Sequence, residues 1–405
     1  MSSKIQGACA APRGFKATGL SCSIKKTGEK DLGIIYSKTP CKAAGVFTKN
    51  KVKAAPVLIC KERINNPINA IIVNSGNANA CTGKRGMDNA LKMVKIIEDT
   101  LEFPTGSVLV CSTGVIGEQL PMQTLEYGVN KICKNILKPQ FENDSLFSEA
   151  IMTTDKRKKE IALKVRIGKD VIKIGASGKG SGMIAPNMAT MLTFVTTDAK
   201  ISQVALENAL KDAIEETFNS ITIDGEMSTN DTVLILANGL AENQEINIDT
   251  EEYEVFKAAL FEVCMHIAWE IIKDGEGSSK QITVNVKGAA SKQDAKKVAF
   301  GIANSLLFKT ACFGMDPNWG RILSAAGSVE NVLLSPDKID LFIGDIQAVK
   351  NGALFEEYVE AEAAKYLKKK KNTFTINLNQ GEHEKTVYTT DISFEYVRIN
   401  SQYKS

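Results

Sequence analysis

The chain has 405 residues, 43% apolar, 24% charged and 6% aromatic, the balance of an ordinary globular protein with room for two to three domains at ~150 residues each. The basic excess is 50 − 47 = 3, too small to call by itself for a nucleic acid or a membrane surface. With only two histidines, His266 and His383, a His-rich metal site is excluded and a histidine-based triad has little to draw on. The nine cysteines form no CxxC pair and are odd in number, so they read as reduced thiols in a reducing, cytoplasmic compartment. No apolar run approaches the ~20 residues of a membrane span. The N-terminus has no apolar core of a secretory signal, and its basic, acid-poor composition leaves a targeting reading open.

Along the chain, 70–75 (AIIVNS) and 107–112 (SVLVCS) are short, β-branched runs expected to form buried strands. Between them, 86–103 places Ala90, Met93, Val94, Ile97 and Leu101 on one helical face. Residues 175–190 (GASGKGSGMIAPNMAT) suggest a boundary or flexible linker, followed by the strand signal MLTFV. A helix is expected over 202–218, with Ser202 as its cap. Residues 232–238 (TVLILAN) read as a third strand, and 251–277 as a long helix closed by Gly275. Residues 274–281 (DGEGSSKQ) form a second polar break, and the basic run 365–372 (KYLKKKKN) reads as a solvated helix end. This alternation predicts a mixed α/β or α+β architecture.

The glycine-rich stretch fails as a phosphate loop, because Lys173 stands where the first glycine belongs and Gly180 follows Lys179 where Ser or Thr is required. Thr190 sits at the mouth of the MLTFV strand, where chain leaving a tight turn can be held under strain. A threonine hydroxyl needs a nearby base to attack a carbonyl. With so little histidine, one option is its own α-amine, released if Thr190 Oγ attacks the Ala189 carbonyl and the resulting ester hydrolyses. Such an amine, with an intrinsic pKa of about 7.7–8.0, is a suitable base near neutral pH. The plain alternative, a β-branched residue opening a strand, stands beside it.

The string KGSGMIAPNMATMLTFVTTDA (179–199) resembles the self-cleavage segment of the ArgJ family, the ornithine acetyltransferase/glutamate N-acetyltransferase enzymes of arginine biosynthesis. The same family is matched, in order, by PRGFKATG (12–19), KAAPV (53–57), IVNSGNANACTG (72–83), STGVIGE (112–118), MTTD (152–155), DGEMSTNDT (224–232), DGEGSSK (274–280) and GMDPNWGRI (314–322). The resemblance runs from about residue 12 to the end. About eleven residues precede it, too few for a transit peptide.

The resemblance implies an αββα sandwich of the self-cleaving Thr-nucleophile type, with two domains, the second over about 280–405, and the site between them. It implies cleavage between Ala189 and Thr190, giving an alpha chain of 1–189 and a beta chain of 190–405, assembled as a heterotetramer of two alpha and two beta chains. Thr190 is then the nucleophile that takes acetyl from N-acetylornithine and passes it to glutamate. Thr113 and Gly114 supply the oxyanion donors. Substrate contacts fall to Thr153, Lys179, Thr190, Glu276, Asn400 and Ser405, with Thr154 an alternative to its neighbour. Lys179 would otherwise read as a solvated loop lysine. No metal or organic cofactor is expected, although acetyl-CoA serves bifunctional members as a donor. Asp224, Glu226 and Asp231 read as a hydrogen-bonded turn near the site and not as a metal cluster, His266 as a core histidine and Cys111 as a buried, inert thiol. Two rivals stand beside this reading: a self-cleaving amidohydrolase or aminopeptidase of the same fold, and a non-catalytic binding or structural protein that keeps the fold but never cleaves, whose signature would be loss of the nucleophile or of Lys179, both present here.

Overall fold

The computed structural model describes residues 2–138, 143–185 and 191–402. Strands β1 (Ser2–Ile5), β2 (Phe15–Leu20) and β3 (Leu32–Phe47) are followed by helix α1 (Ala55–Arg63), β4 (Ile68–Asn77), α2 (Gly83–Thr100), β5 (Val108–Val115), α3 (Met122–Ile136) and α4 (Asp144–Ala150). Next come β6 (Lys159–Ile167), β7 (Asp170–Lys179), β8 (Leu192–Thr197), α5 (Gln203–Glu216), β9 (Thr232–Ala237) and α6 (Glu251–Lys273).

These strands form one continuous sheet path, β1-β6-β7-β8-β9-β3-β4-β5, with β2 on β3. The 16-residue β3 is the hinge of the path. Its first half pairs with β2 and β4, and its second half, Lys42 to Phe47, pairs with β9. The path therefore folds into two facing layers. Alternation within the apolar runs decides what each face meets. Ile71, Val73, Leu109 and Cys111 of one layer pack against Leu192, Phe194, Leu234 and Leu236 of the other. Ile72, Val108 and Val110 turn outward to Met93, Val94 and Ile97 of α2 and Val129 and Ile132 of α3. Val195, Val233 and Ile235 turn the opposite way, to Leu206 and Leu210 of α5 and Phe256, Leu260 and Val263 of α6. The order helix, sheet, sheet, helix is the αββα sandwich.

A second, six-stranded sheet is built from β10 (Gln281–Ala289), β11 (Asp340–Ile343), β12 (Ile346–Lys350), β13 (Ala353–Leu354), β14 (Lys371–Asn377) and β15 (His383–Thr390). Its core is closed by α7 (Lys292–Ala303), α8 (Leu306–Gly314), α9 (Trp319–Gly327) and α10 (Glu360–Leu367). Helix α11 (Phe394–Gln402) follows. Tyr388 ties the two units together, pairing with Ile221 and packing its ring on Trp269.

Several expectations change. The first part of the glycine-rich stretch is not linker: Gly175 to Gly178 lie at the end of β7 in register with both β6 and β8, and Lys179 with β8. Gly175 is needed there because a Cβ would stand 1.9 Å from the Ala8 carbonyl oxygen. The long helix ends at Lys273 with Asp274 as its C-cap, so Gly275 stands just past its end as expected, while 276–277 lie beyond it. Ser202 occupies the N-cap position of α5, but its side chain makes no capping bond. His266 lies half-buried on α6 instead of in the core. Of the basic run, Lys365 is helical, while Lys371 already opens β14.

All nine cysteines are free, and eight are buried. Burial pushes the Cys111 thiol well above its ordinary value. Among the described residues, no helix is long and apolar enough to cross a membrane, and no group of three His, Cys, Asp or Glu is placed to hold a metal.

Candidate active site

A cavity of about 230 Å³ opens where β5 and β7 end, bounded by the 224–230 segment, the loop after α6 and helix α11. Its walls include Thr113, Gly114, Thr153, Thr154, Lys179, Glu276 and Asn400. Residues separated by nearly 290 positions thus share one pocket.

Thr113 and Gly114 reach it because β5 lies parallel to β4, with Gly76 opposite Gly114. Gly114 has φ +131°, and a Cβ there would stand 2.3 Å from the Gly76 carbonyl carbon, so no side chain fits. The amide-rich NSGNAN segment braces this turn. Ser112 Oγ donates to Asn74 Oδ1 at 2.6 Å, and Asn230 Nδ2 donates to the carbonyls of Ala78 (2.6 Å) and Ser112 (2.8 Å).

Lys179, the last residue of β7, is only 3% exposed. Its ammonium donates to Thr113 Oγ1 at 3.0 Å. Burial lowers its pKa below the ordinary lysine value, against the raising effect of Asp155. Asp155 is the hub beneath the pocket: its Oδ1 accepts from Gly180 N–H (2.7 Å) and its Oδ2 from Thr153 N–H (3.0 Å). Lys159, wholly buried, bridges Asp155 and Asp274 at 2.7 Å each. Burial alone would raise the Asp155 pKa, but Lys159 and Lys179 outweigh it and hold the carboxyl well below the usual carboxylate range. This ion chain ties together the segments carrying Thr153, Lys179 and, two residues beyond Asp274, Glu276.

Glu276, 7% exposed, accepts from Asn400 Nδ2 at 2.9 Å and donates its N–H to the Ser181 carbonyl at 2.7 Å. Thr153 and Thr154 both line the cavity, and Thr154 Oγ1 shares a hydrogen bond with Ser181 Oγ. Ala189, Thr190 and Ser405 lie outside the described residues. The chain on either side of the 186–190 segment is gripped by carboxylates. Asp224 accepts the N–H groups of Met183 (2.6 Å) and Ile184 (2.8 Å), and Asp231 Oδ1 accepts that of Met191 (3.1 Å). Asp231 is fully buried, its other oxygen has no partner among the described residues, and burial pushes its pKa well up. The acidic segment is thus engaged with backbone amides, as a turn requires.

Three contributors were not singled out from sequence. Asp155 and Lys159 sit four apart, but Asp155 lies in irregular chain and Lys159 opens a strand, so the spacing that would pair them on a helix carries no signal here. Tyr396 lines the cavity and donates to Asp224 Oδ2 at 3.2 Å; the tail offered no periodic signal for it.

The cavity gathers the Thr113 hydroxyl and the Gly114 backbone, the buried Lys179 cation bonded to that hydroxyl, and the Glu276 carboxylate with the Asn400 amide. It suits acyl chemistry on a ligand carrying both charges. The model of the ArgJ family matches residues 16–405. The arginine biosynthesis bifunctional protein ArgJ of Symbiobacterium thermophilum is 45% identical over 404 residues, covering 99% of each chain. The protein of the same name from Thermotoga neapolitana is 46% identical over 402 residues, covering 97% of this chain and 99% of its own. Among solved structures, the arginine biosynthesis bifunctional protein ArgJ of Bacillus halodurans aligns with a TM-score of 0.50 and 41% identity, covering 52% of this chain and 98% of that one.

Proposed function

Because this chain belongs to the ArgJ family, we propose that it is an acyltransferase of arginine biosynthesis that moves the acetyl group of N-acetylornithine to glutamate through an acetyl-Thr190 intermediate. The observation that carries this reading is the convergence of Thr113, Gly114, Lys179 and Glu276 on one cavity, beside the two flanks of the 186–190 segment.

Cleavage between Ala189 and Thr190 leaves pieces of 189 and 405 − 189 = 216 residues and frees the Thr190 α-amine. In the first half-reaction Thr190 Oγ attacks the acetyl carbonyl while its proton passes to that amine. The negative oxygen of the tetrahedral intermediate is held by the Thr113 hydroxyl and Gly114 N–H. The C–N bond then breaks, the proton leaves on the ornithine amine, and an acetyl ester remains on Thr190. The amine of glutamate attacks this ester by the same steps in reverse, regenerating the threonine. Glu276, with Asn400, suits the substrate's cationic end, Thr153 and Ser405 join the recognition set, and the Lys179 ammonium stands against the Thr113 hydroxyl. No resident metal or organic cofactor is part of this chemistry.

Support for the cleavage comes from size. Nearly all of the Bacillus halodurans chain is matched by 52% of this one, close to 216 of 405 residues. The bifunctional name of the relatives favours a transferase that also accepts acetyl from acetyl-CoA over the amidohydrolase alternative. The cleaved protein is proposed to assemble as a heterotetramer of two alpha and two beta chains.

The test is an acceptor assay. Glutamate should accelerate ornithine release from N-acetylornithine with ping-pong kinetics. Release at the same rate in glutamate-free buffer, with acetate as product, would replace the transferase by an amidohydrolase.

A further inference from the structure

We propose that Lys179 is a positioning residue of the oxyanion hole, acting through Thr113 by committing its hydroxyl to donate into the cavity. This rests on the acetyl-transfer reading and deepens it. A lysine ammonium has three donors and no acceptor, whereas a threonine hydroxyl has one proton and two lone pairs. In the 3.0 Å contact between Lys179 Nζ and Thr113 Oγ1, the threonine oxygen is therefore the acceptor. Its own proton is left for another partner, and Thr113 Oγ1 has no further hydrogen bond among the described residues. Both side chains are buried, Thr113 at 5% and Lys179 at 3% exposure, and both line the cavity. The cavity is therefore the direction left open to the hydroxyl proton. A cation on the acceptor side also polarises the O–H and strengthens it as a donor.

The placement of Lys179 is itself determined. It ends β7 opposite Leu192 of β8, and the next residue's N–H is held by Asp155 Oδ1 at 2.7 Å. Asp155 is held in turn by Lys159. Such bracing keeps the ammonium where it sets the hydroxyl, and does not require Lys179 to reach the substrate. A lysine that gripped a substrate carboxylate would act on binding. One that acts through Thr113 acts on the tetrahedral intermediate, and the two roles separate kinetically.

The test is a double-mutant cycle of Lys179→Met and Thr113→Val on the full chain, with kcat and KM for N-acetylornithine measured for each variant and thermal melts confirming folding. Each single variant is expected to lose about 10²-fold in kcat, the scale of one oxyanion donor, with KM little changed. The double variant is expected to be no slower than Thr113→Val alone. Thr113→Ser, which keeps the hydroxyl, should retain activity and remain sensitive to Lys179→Met. Additive losses, or a Lys179→Met variant with raised KM and unchanged kcat, overturn the proposal and make Lys179 a substrate ligand. Where a variant stays uncleaved, its cleavage rate, followed by intact mass, takes the place of kcat, because attack on the Ala189 carbonyl also develops an oxyanion. Non-additive slowing supports the proposal, and additive slowing overturns it. A wild-type chain that transfers no acetyl in the same assay defeats the functional reading, whereas a transferring wild type with an additive cycle defeats only the role given to Lys179.

Discussion

Single residues at this site are constrained by what surrounds them more than by their own chemistry. Gly114 combines φ +131° with the Gly76 backbone at Cβ distance. Gly114→Ala is therefore expected to cost about 1–3 kcal/mol in stability and, by displacing the N–H, about 10²-fold in kcat. Denaturant titration and steady-state kinetics check the two effects separately. Lys179 has a lowered pKa through burial, opposed by the carboxylates of Asp155, Glu276 and Asp231 and reinforced by the neighbouring Lys159. The active form is the charged lysine, which is lost as pH rises. The alkaline limb of kcat should accordingly fall below the ordinary lysine range of about 10.4, and activity held flat through that range would contradict a charged Lys179. Thr113, Gly114, Glu276 and Asn400 were legible through the family resemblance; by residue type alone Thr113 and Gly114 read as a strand-end turn and the tail carrying Asn400 as expendable. Asp155 and Lys159 were not, because their role depends on Asp274, more than a hundred positions away, and only the fold brings the three together.

At the scale of elements, the Asp155–Lys159–Asp274 chain explains why the starts of β6, the end of β7 and the end of α6 meet in one rigid corner. Lys159→Met leaves two buried carboxylates without their shared cation and is expected to destabilise the protein by about 3–5 kcal/mol. Adding Asp274→Asn should restore part of that loss in chemical denaturation, and no restoration would mean that the chain contributes by packing alone. The acid side of the stability curve carries the same signature. Because the folded-state pKa of Asp155 is lowered, its contribution is complete above the ordinary Asp value of about 3.9 and fades as pH falls below it. That fade should flatten in Lys159→Met. The strand runs around residues 70, 108 and 232 were readable from β-branched patterning, and α2 from its apolar stripe. The glycine-rich end of β7 was not, because glycine opposes strand propensity, and Gly175 and Gly178 are there to admit the Ala8 backbone and the Ile267 side chain.

For the whole molecule, alternation in β4, β5, β8 and β9 divides each apolar run between an inter-sheet core and a helix-covered face. Sequence could announce buried strands but not this division, since a run apolar on both faces has no period to read. The second sheet, from Gln281 to Thr390, and the helix that follows it bring Tyr396 and Asn400 back to the cavity of the first unit. The tail therefore belongs to the site, although chain ends are commonly expendable. The central claim is that the acetyl group rests on Thr190 between two half-reactions. Its most direct test is an intact-mass spectrum under denaturing conditions, after the protein meets N-acetylornithine without glutamate. The expected result is two pieces, one ending at Ala189 and one beginning at Thr190, the second heavier by one acetyl group that disappears when glutamate is added. A single 405-residue species that still transfers acetyl, or a cleaved protein that turns over without the adduct, would contradict it.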